Sequence, residues 1–258
     1  MQNRPQNAKR PLKPLKWYKD LARKKGRLEA KAFIVEGPRA VAQLLHNNPD
    51  LMLEIMYTGE LPSEYRNYVS RQITEMQLRS ICSTQTPQSI AAVMRLPDET
   101  YSDQVPHDPG VKILLLEDVQ DPGNVGTLVR TAVSFGFSGL ILSDKCADPF
   151  SPKCVQSTAG TTLSLWIRRT AGYLELAAKL KNAGYILVAT DLSGIEDFSP
   201  LRQSDKLILA LGNEASGLSK SILQLSDHRL RIPINSDRAE SLNVAACGAI
   251  CLFLSSCK

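Results

Sequence analysis

The chain has 258 residues, 43% hydrophobic and 22% charged, which suits a globular protein of two domains or one large one. No apolar run is long enough to span a bilayer, and the basic, Pro-rich start lacks the apolar core of a secretory signal, so a cytoplasmic protein is expected. The net charge of +5 is uneven: eleven Lys/Arg against Asp20 and Glu29 place +9 in residues 1–31 and leave −4 elsewhere, a pattern that suggests a polyanionic partner.

Residues 1–14, rich in Pro, Asn and Lys, are expected to form a disordered basic arm. A helix is expected over 15–25. This region carries Lys16, Trp17, Arg23, Lys24 and Lys25, with Arg27 close behind. Cations for phosphates beside aromatic rings for bases favour nucleic acid over a merely solvated tail. A strand is predicted at 33–35, a helix at 38–46 opened by Pro38, a strand at 51–57 and a helix at 62–70. Strand-like runs follow near Ile73 and at 90–95, so residues 15–98 can form a small α/β domain. The polar stretch 96–110, with three prolines, marks a linker taken as 99–110. His107 lies within it and is given no role.

The second half alternates. Strands are predicted at 112–116, 139–142, 162–167, 185–189, 207–211 and 229–232, and helices at 123–135, 173–183, 218–225 and 242–254. That order implies an α/β fold with a parallel sheet covered by helices on both faces. The six cysteines, Cys82, Cys146, Cys154, Cys247, Cys251 and Cys257, form no CxxC pair and have no His nearby. Reduced thiols are therefore expected, and no metal site.

Three polar clusters follow apolar strands, where open α/β sheets place ligands. The first, DPGNVGTLVRTAVSFG, carries Asn124 and Arg130, six residues apart and so roughly 240° around a helix. Its helix start can hold an anion. A nicotinamide-type site is disfavoured, because Val125 and Val129 stand where GxGxxG wants glycine, although Asp144 lies at a suitable distance for a ribose. The second, LALGNEASGLS, ends a strand at Leu211 and Gly212 and places Glu214 at a loop tip. Gly212 lets a ligand lie against the backbone, and Ser216 or Ser219 can cap the next helix. The third, IPINSDRAESLNVAACGAICLF, carries Asp237, Arg238, Glu240, Ser241 and Asn243 before a small-residue helix that packs closely on the sheet or on a second subunit.

Together and in this order, the three clusters resemble the motifs of the SpoU/TrmH family of the SPOUT methyltransferase superfamily over residues 111–258. Residues 17–98, with FIVEGPRAV and TQTPQSIAAV, are more loosely similar to that family's L30e-like substrate-binding domain. The resemblance implies a C-terminal trefoil knot, a homodimer and S-adenosylmethionine as cofactor. It also implies 2′-O-methylation of a ribose in structured RNA, with ribosomal RNA preferred to transfer RNA. It assigns catalysis to Asn124, Arg130, Glu214, Ser241 and Asn243. Cofactor binding would fall to loops around Leu211, Gly212, Ile232, Pro233, Ile234, Leu242 and Asn243, and RNA to the basic N-terminal region. The loop from 232 to 242 is about one residue longer than in relatives.

A ribose hydroxyl is a weak nucleophile, so its positioning and its proton carry the catalytic problem. Arginine is a poor proton acceptor. Arg130 is therefore expected to clamp an RNA phosphate and stabilise developing alkoxide charge, with Asn124 and Asn243 orienting groups around it and Glu214 fixing Arg130 or Asn124. Other classes are a catalytically silent RNA-binding protein of the same fold and a nucleotide-dependent oxidoreductase.

Overall fold

The computed structural model describes residues 13–84, 86–235, 237, 238 and 240–257. Apart from residues 13 and 14, the arm expected over 1–14 lies outside the described residues. The chain forms two compact units, one of Met1–Asp98 with Phe150–Leu163 and one of Glu99–Pro149 with Ser164–Lys258.

The first unit begins with two short helices, α1 (Leu15–Asp20) and α2 (Lys24–Ala30), rather than the single helix expected. The break has a local cause. A Cβ at Gly26 would lie 2.0 Å from the Asp20 carbonyl oxygen, so α2 folds directly against the end of α1. The Arg27 guanidinium donates from Nη1 to the carbonyls of Leu21 (2.9 Å) and Ala22 (3.0 Å), groups that a helix end leaves without partners. Strand β1 (Ala32–Glu36), helix α3 (Pro38–Asn47) and strand β2 (Met52–Tyr57) follow.

The helix expected over 62–70 reduces to one 3-10 turn, Ser63–Tyr65. Tyr65 is buried there, and the Val69 carbonyl accepts from the Ile55 N–H (2.8 Å), which draws the chain into β3 (Ser70–Gln72). Helix α4 (Glu75–Ile81) starts on a capping box between Thr74 and Gln77, and β4 (Ile90–Arg95) closes the sheet. Its order is β1-β4-β2-β3, with β4 antiparallel to both neighbours and β3 parallel to β2. Tyr18 fastens α1 to this sheet, its hydroxyl donating to Glu54 (2.8 Å), which also pairs with Arg71 (2.7 Å).

The second unit opens with β5 (Lys112–Leu116), α5 (Pro122–Ser134) and β6 (Gly139–Ser143). Residues 150–163 then return to the first unit. There Phe150 packs its ring against Phe33 at a tilt (4.8 Å between rings), helix α6 (Pro152–Ser157) packs against β1, and Thr162 bonds Thr158 (2.6 Å). Thr162 and Leu163 are thus taken up elsewhere, and the strand expected from 162 starts late, as β7 (Trp166–Thr170). The remaining elements are α7 (Tyr173–Asn182), β8 (Ile186–Ile195), α8 (Ser199–Gln203), β9 (Leu207–Leu211), α9 (Lys220–Leu225), β10 (His228–Leu230) and α10 (Val244–Ser256).

The six strands run β10-β8-β9-β5-β6-β7, and every neighbouring pair is parallel. Strands β6 and β9 are buried at every position, as a sheet covered on both faces requires. Strand order reverses between β5 and β9, which makes their carboxyl ends the place for a ligand. The stretch 99–110 is not a loose span. It lies along the β7 edge, where Arg168 pairs with Glu99 and donates from Nε to the Gln104 carbonyl (2.8 Å), and Trp166 Nε1 donates to the Pro109 carbonyl (3.0 Å). Helix α10 settles onto α5 and β9 at Gly248, where a Cβ would lie 2.2 Å from the Leu128 side chain and 2.8 Å from that of Leu211.

Candidate active site

The loops at the carboxyl ends of β5 and β9, together with the start of α10, bring three of the five expected site residues into one hydrogen-bonded chain. Asn243 donates from Nδ2 to Asn124 Oδ1 (3.2 Å), and Asn124 donates from Nδ2 to Glu214 Oε1 (3.0 Å). Each residue is placed by its own element. Asn124 lies in the first turn of α5, where its N–H is taken by the Asp121 carboxylate (3.0 Å). That carboxylate occupies the helix start, so the anion expected there is supplied by the chain itself. Asn243 caps α10, its Oδ1 accepting from Ala245 and Ala246 (2.9 and 3.3 Å). The asparagine thus does both jobs, capping its helix and reaching Asn124.

Glu214 sits exposed at the tip of a tight loop in which the Asn213 N–H donates to Gly217 (3.1 Å) and the Gly217 N–H to Asn213 (2.9 Å). A Cβ at Gly212 would meet Gly217 and Leu218 backbone atoms at 2.3–2.4 Å. Glycine is therefore demanded by closure of this loop, rather than by open space for a ligand. Glu214 fixes Asn124, and no bond joins it to Arg130. Both Arg130, on the outer face of α5, and Ser241 are exposed and carry no side-chain hydrogen bond among the described residues.

Several supporting groups carried no signal by residue type. Glu117, only 3% exposed, accepts from the Tyr173 hydroxyl and from the Ser219 N–H (2.6 Å), which anchors α9. Burial, with Glu117 beside it, raises the Tyr173 hydroxyl well above the usual tyrosine range. Asp118 holds a left-handed backbone (φ 57°), its N–H donating to Ser143 Oγ (2.9 Å) and its carboxylate accepting from the same hydroxyl (2.6 Å).

For the loops expected to hold the cofactor, what counts is where their backbone groups go. Among the described residues, Ile232, Pro233 and Ile234 make no backbone hydrogen bond, although Arg231 just before them donates to Ile195 (2.9 Å). Leu242 is 38% exposed beside Asn243. Unpaired N–H and C=O groups can take the edge of a planar heterocycle, and an exposed aliphatic side chain can cover its face. A cavity of about 560 Å³, lined by Ile186, Ser199, Gln203, Lys206 and His228 among others, lies at the other, amino end of β8 and β9, away from this cluster. Among the described residues, no helix is long and apolar enough to cross a membrane, and no three His, Cys, Asp or Glu are grouped to hold a metal ion. All six cysteines are free thiols.

In the first unit, Lys16, Arg23, Lys24 and Lys25 are exposed on α1 and α2 or between them. Arg27 does not join them: it is 3% exposed and holds helix carbonyls, so it drops out of the set expected to face RNA. Trp17 is half-buried against Tyr18 (5.1 Å between rings), with the Lys13 ammonium 5.8 Å from its ring.

A parallel α/β sheet with converging polar loops at its switch point is the doubly wound architecture, whose switch point is a place for ligands. Comparison with known proteins makes this specific. Residues 112–253 match the SpoU rRNA Methylase family, and residues 13–92 match an MRM3-like substrate binding domain. The 23S rRNA (guanosine(2553)-2′-O)-methyltransferase RlmP of Bacillus subtilis is 32% identical over 93% of this chain and 94% of its own. The 23S rRNA (uridine(2479)-2′-O)-methyltransferase of Streptomyces viridochromogenes is 27% identical over 92% and 86%. The crystal structure of the SpoU methyltransferase AviRb from Streptomyces viridochromogenes, in complex with the cofactor AdoMet (S-adenosylmethionine), superposes with a TM-score of 0.81 at 26% identity, covering 94% of this chain and 96% of that one. The chain belongs to the SpoU rRNA methylase family.

Proposed function

We propose that this protein methylates a ribose 2′-hydroxyl of structured ribosomal RNA, using S-adenosylmethionine. The observation that carries the reading is the Asn243–Asn124–Glu214 chain at the sheet's switch point, together with the unpaired backbone of 232–234. Ribosomal RNA is favoured over transfer RNA because the relatives that span nearly the whole chain are named for 23S rRNA.

The cofactor supplies an electrophilic sulfonium methyl, held by the loops around Leu211–Gly212, Ile232–Ile234 and Leu242–Asn243. The remaining work falls to the chain. Arg130, exposed and uncommitted, clamps an RNA phosphate and stabilises negative charge growing on the 2′-oxygen. Asn124 is held in one rotamer from both sides, by Asn243 and Glu214, and orients the ribose. Glu214 has one carboxylate oxygen engaged by Asn124 and the other free among the described residues. That oxygen can take the proton that the 2′-hydroxyl gives up as it attacks the methyl group, directly or through water. Ser241, exposed beside Leu242 in the chain, is free to bond the RNA.

The finer architecture follows the same reading: a knotted methyltransferase domain over 111–258, a linker at 99–110 and an L30e-like RNA-binding domain over 15–98. A stripe of Ala246, Ile250 and Phe253 on the outer face of α10, with Phe253 53% exposed, supports a homodimer. Work on ribosomal RNA is in keeping with a cytoplasmic location.

The direct test is transfer of radiolabelled methyl from S-adenosylmethionine to ribosomal RNA, followed by mapping of the ribose modified. Cofactor binding without any transfer to ribosomal or transfer RNA would overturn the enzyme reading in favour of a silent RNA-binding protein.

A further inference from the structure

Glu214 is exposed, and nothing on its own side chain ties it to the sheet except Asn124. Its position is set by the residue before it. Asn213 is half-buried, and both ends of its side-chain amide are engaged. Its Oδ1 accepts from the N–H groups of Ala215 (3.0 Å) and Ser216 (3.1 Å) and from the Ser216 hydroxyl (3.2 Å), which closes the loop. Its Nδ2 reaches across and donates to the Asp118 carbonyl (2.9 Å). Asp118 lies in the turn between β5 and α5, the turn that delivers Asn124. Its left-handed backbone is itself held by Ser143 on β6. One amide therefore joins the loop that carries the carboxylate to the turn that carries the asparagine.

We propose that Asn213 is a positioning residue for methyl transfer, setting the Glu214–Asn124 separation by tying the β9 loop to the Asp118 turn. The two ends of its amide have separable tasks. The oxygen folds the loop, and the nitrogen sets the loop's place relative to α5. A register set by one hydrogen bond matters because misplacement of a reacting group by about 1 Å can cost two orders of magnitude in rate. The inference rests on the methyltransferase reading.

Asn213→Asp keeps the acceptor and removes the donor, so the loop closes but loses its tie. With wild-type transfer to ribosomal RNA established as the reference, kcat for Asn213→Asp should fall by about ten- to a hundredfold. The KM for RNA, the calorimetric Kd for S-adenosylmethionine and the melting midpoint should stay close to wild type. Asn213→Ala, which loses both tasks, should show the same kcat loss and a lowered midpoint as well. An unchanged kcat in Asn213→Asp would overturn the proposal. So would a kcat loss matched by equal losses of cofactor affinity and midpoint, since that describes a scaffold residue. Failure of the wild type to transfer methyl groups would instead remove the reading beneath.

Discussion

Under the proposed mechanism the chemistry turns on Arg130, and its surroundings say why an arginine suits it. It stands on the exposed face of α5, about two helical turns beyond the Asn124 cluster, with no partner among the described residues. A free guanidinium can take a phosphate in two parallel hydrogen bonds, which an ammonium cannot. Arg130→Ala should therefore lower kcat by about two to three orders of magnitude while calorimetry shows the S-adenosylmethionine Kd within about twofold of wild type. Arg130→Lys should recover only a small part. Parallel loss of rate and cofactor affinity would mean that Arg130 shapes the cofactor pocket instead. At this scale the sequence was legible where residue type and position coincide: Asn124, Glu214 and Asn243 follow strands and do meet. It was silent where a side chain's role depends on what lies behind it. Arg27 is one basic residue among many until its guanidinium is found buried on two carbonyls. Asn213 and Asp121 draw no notice by type either, and their roles show only in what their side chains hold.

Elements were readable in proportion to how strongly burial marks them. The central strands β5, β6 and β9 are unbroken apolar runs, because both faces are covered. The short helices α4 and α6 have no full amphipathic period to display, and each is fixed by a cap or by a tertiary contact. Helix α1 is a case of the latter. Its six residues are too few to hold a helix alone, and it stays in place because Tyr18 reaches Glu54. Tyr18→Phe leaves that carboxylate oxygen short of a partner and should cost about 1–3 kcal/mol in the first unit. Burial and the Glu54 bond raise the Tyr18 hydroxyl above the ordinary tyrosine value of 10.0. A raised folded-state pKa means stability that is whole below the unfolded value and is lost as pH rises beyond it. The gap in melting midpoint between wild type and Tyr18→Phe should therefore be widest near neutrality and shrink above pH 10.0. A constant gap through that range would place the effect in packing.

Over the whole molecule, charge divides along the boundary of the two units. The first holds seventeen Lys/Arg against nine Asp/Glu, and the second fourteen against seventeen. An acidic unit gains nothing from long-range attraction to RNA, so under the proposed reading capture falls to the other unit, whose residues 13–92 match a substrate binding domain. Replacing Lys16, Arg23 and Lys25 together by alanine should weaken RNA binding at low salt. It should also flatten the dependence of log affinity on log salt by about 0.7–0.9 for each RNA phosphate that the variant no longer neutralises. Because these residues lie outside the unit that holds Asn124, Glu214 and Asn243, kcat at saturating RNA and the cofactor Kd should not move. A fall in kcat with an unchanged salt slope would mean that these cations shape the reacting complex, and that the RNA is gripped by other residues.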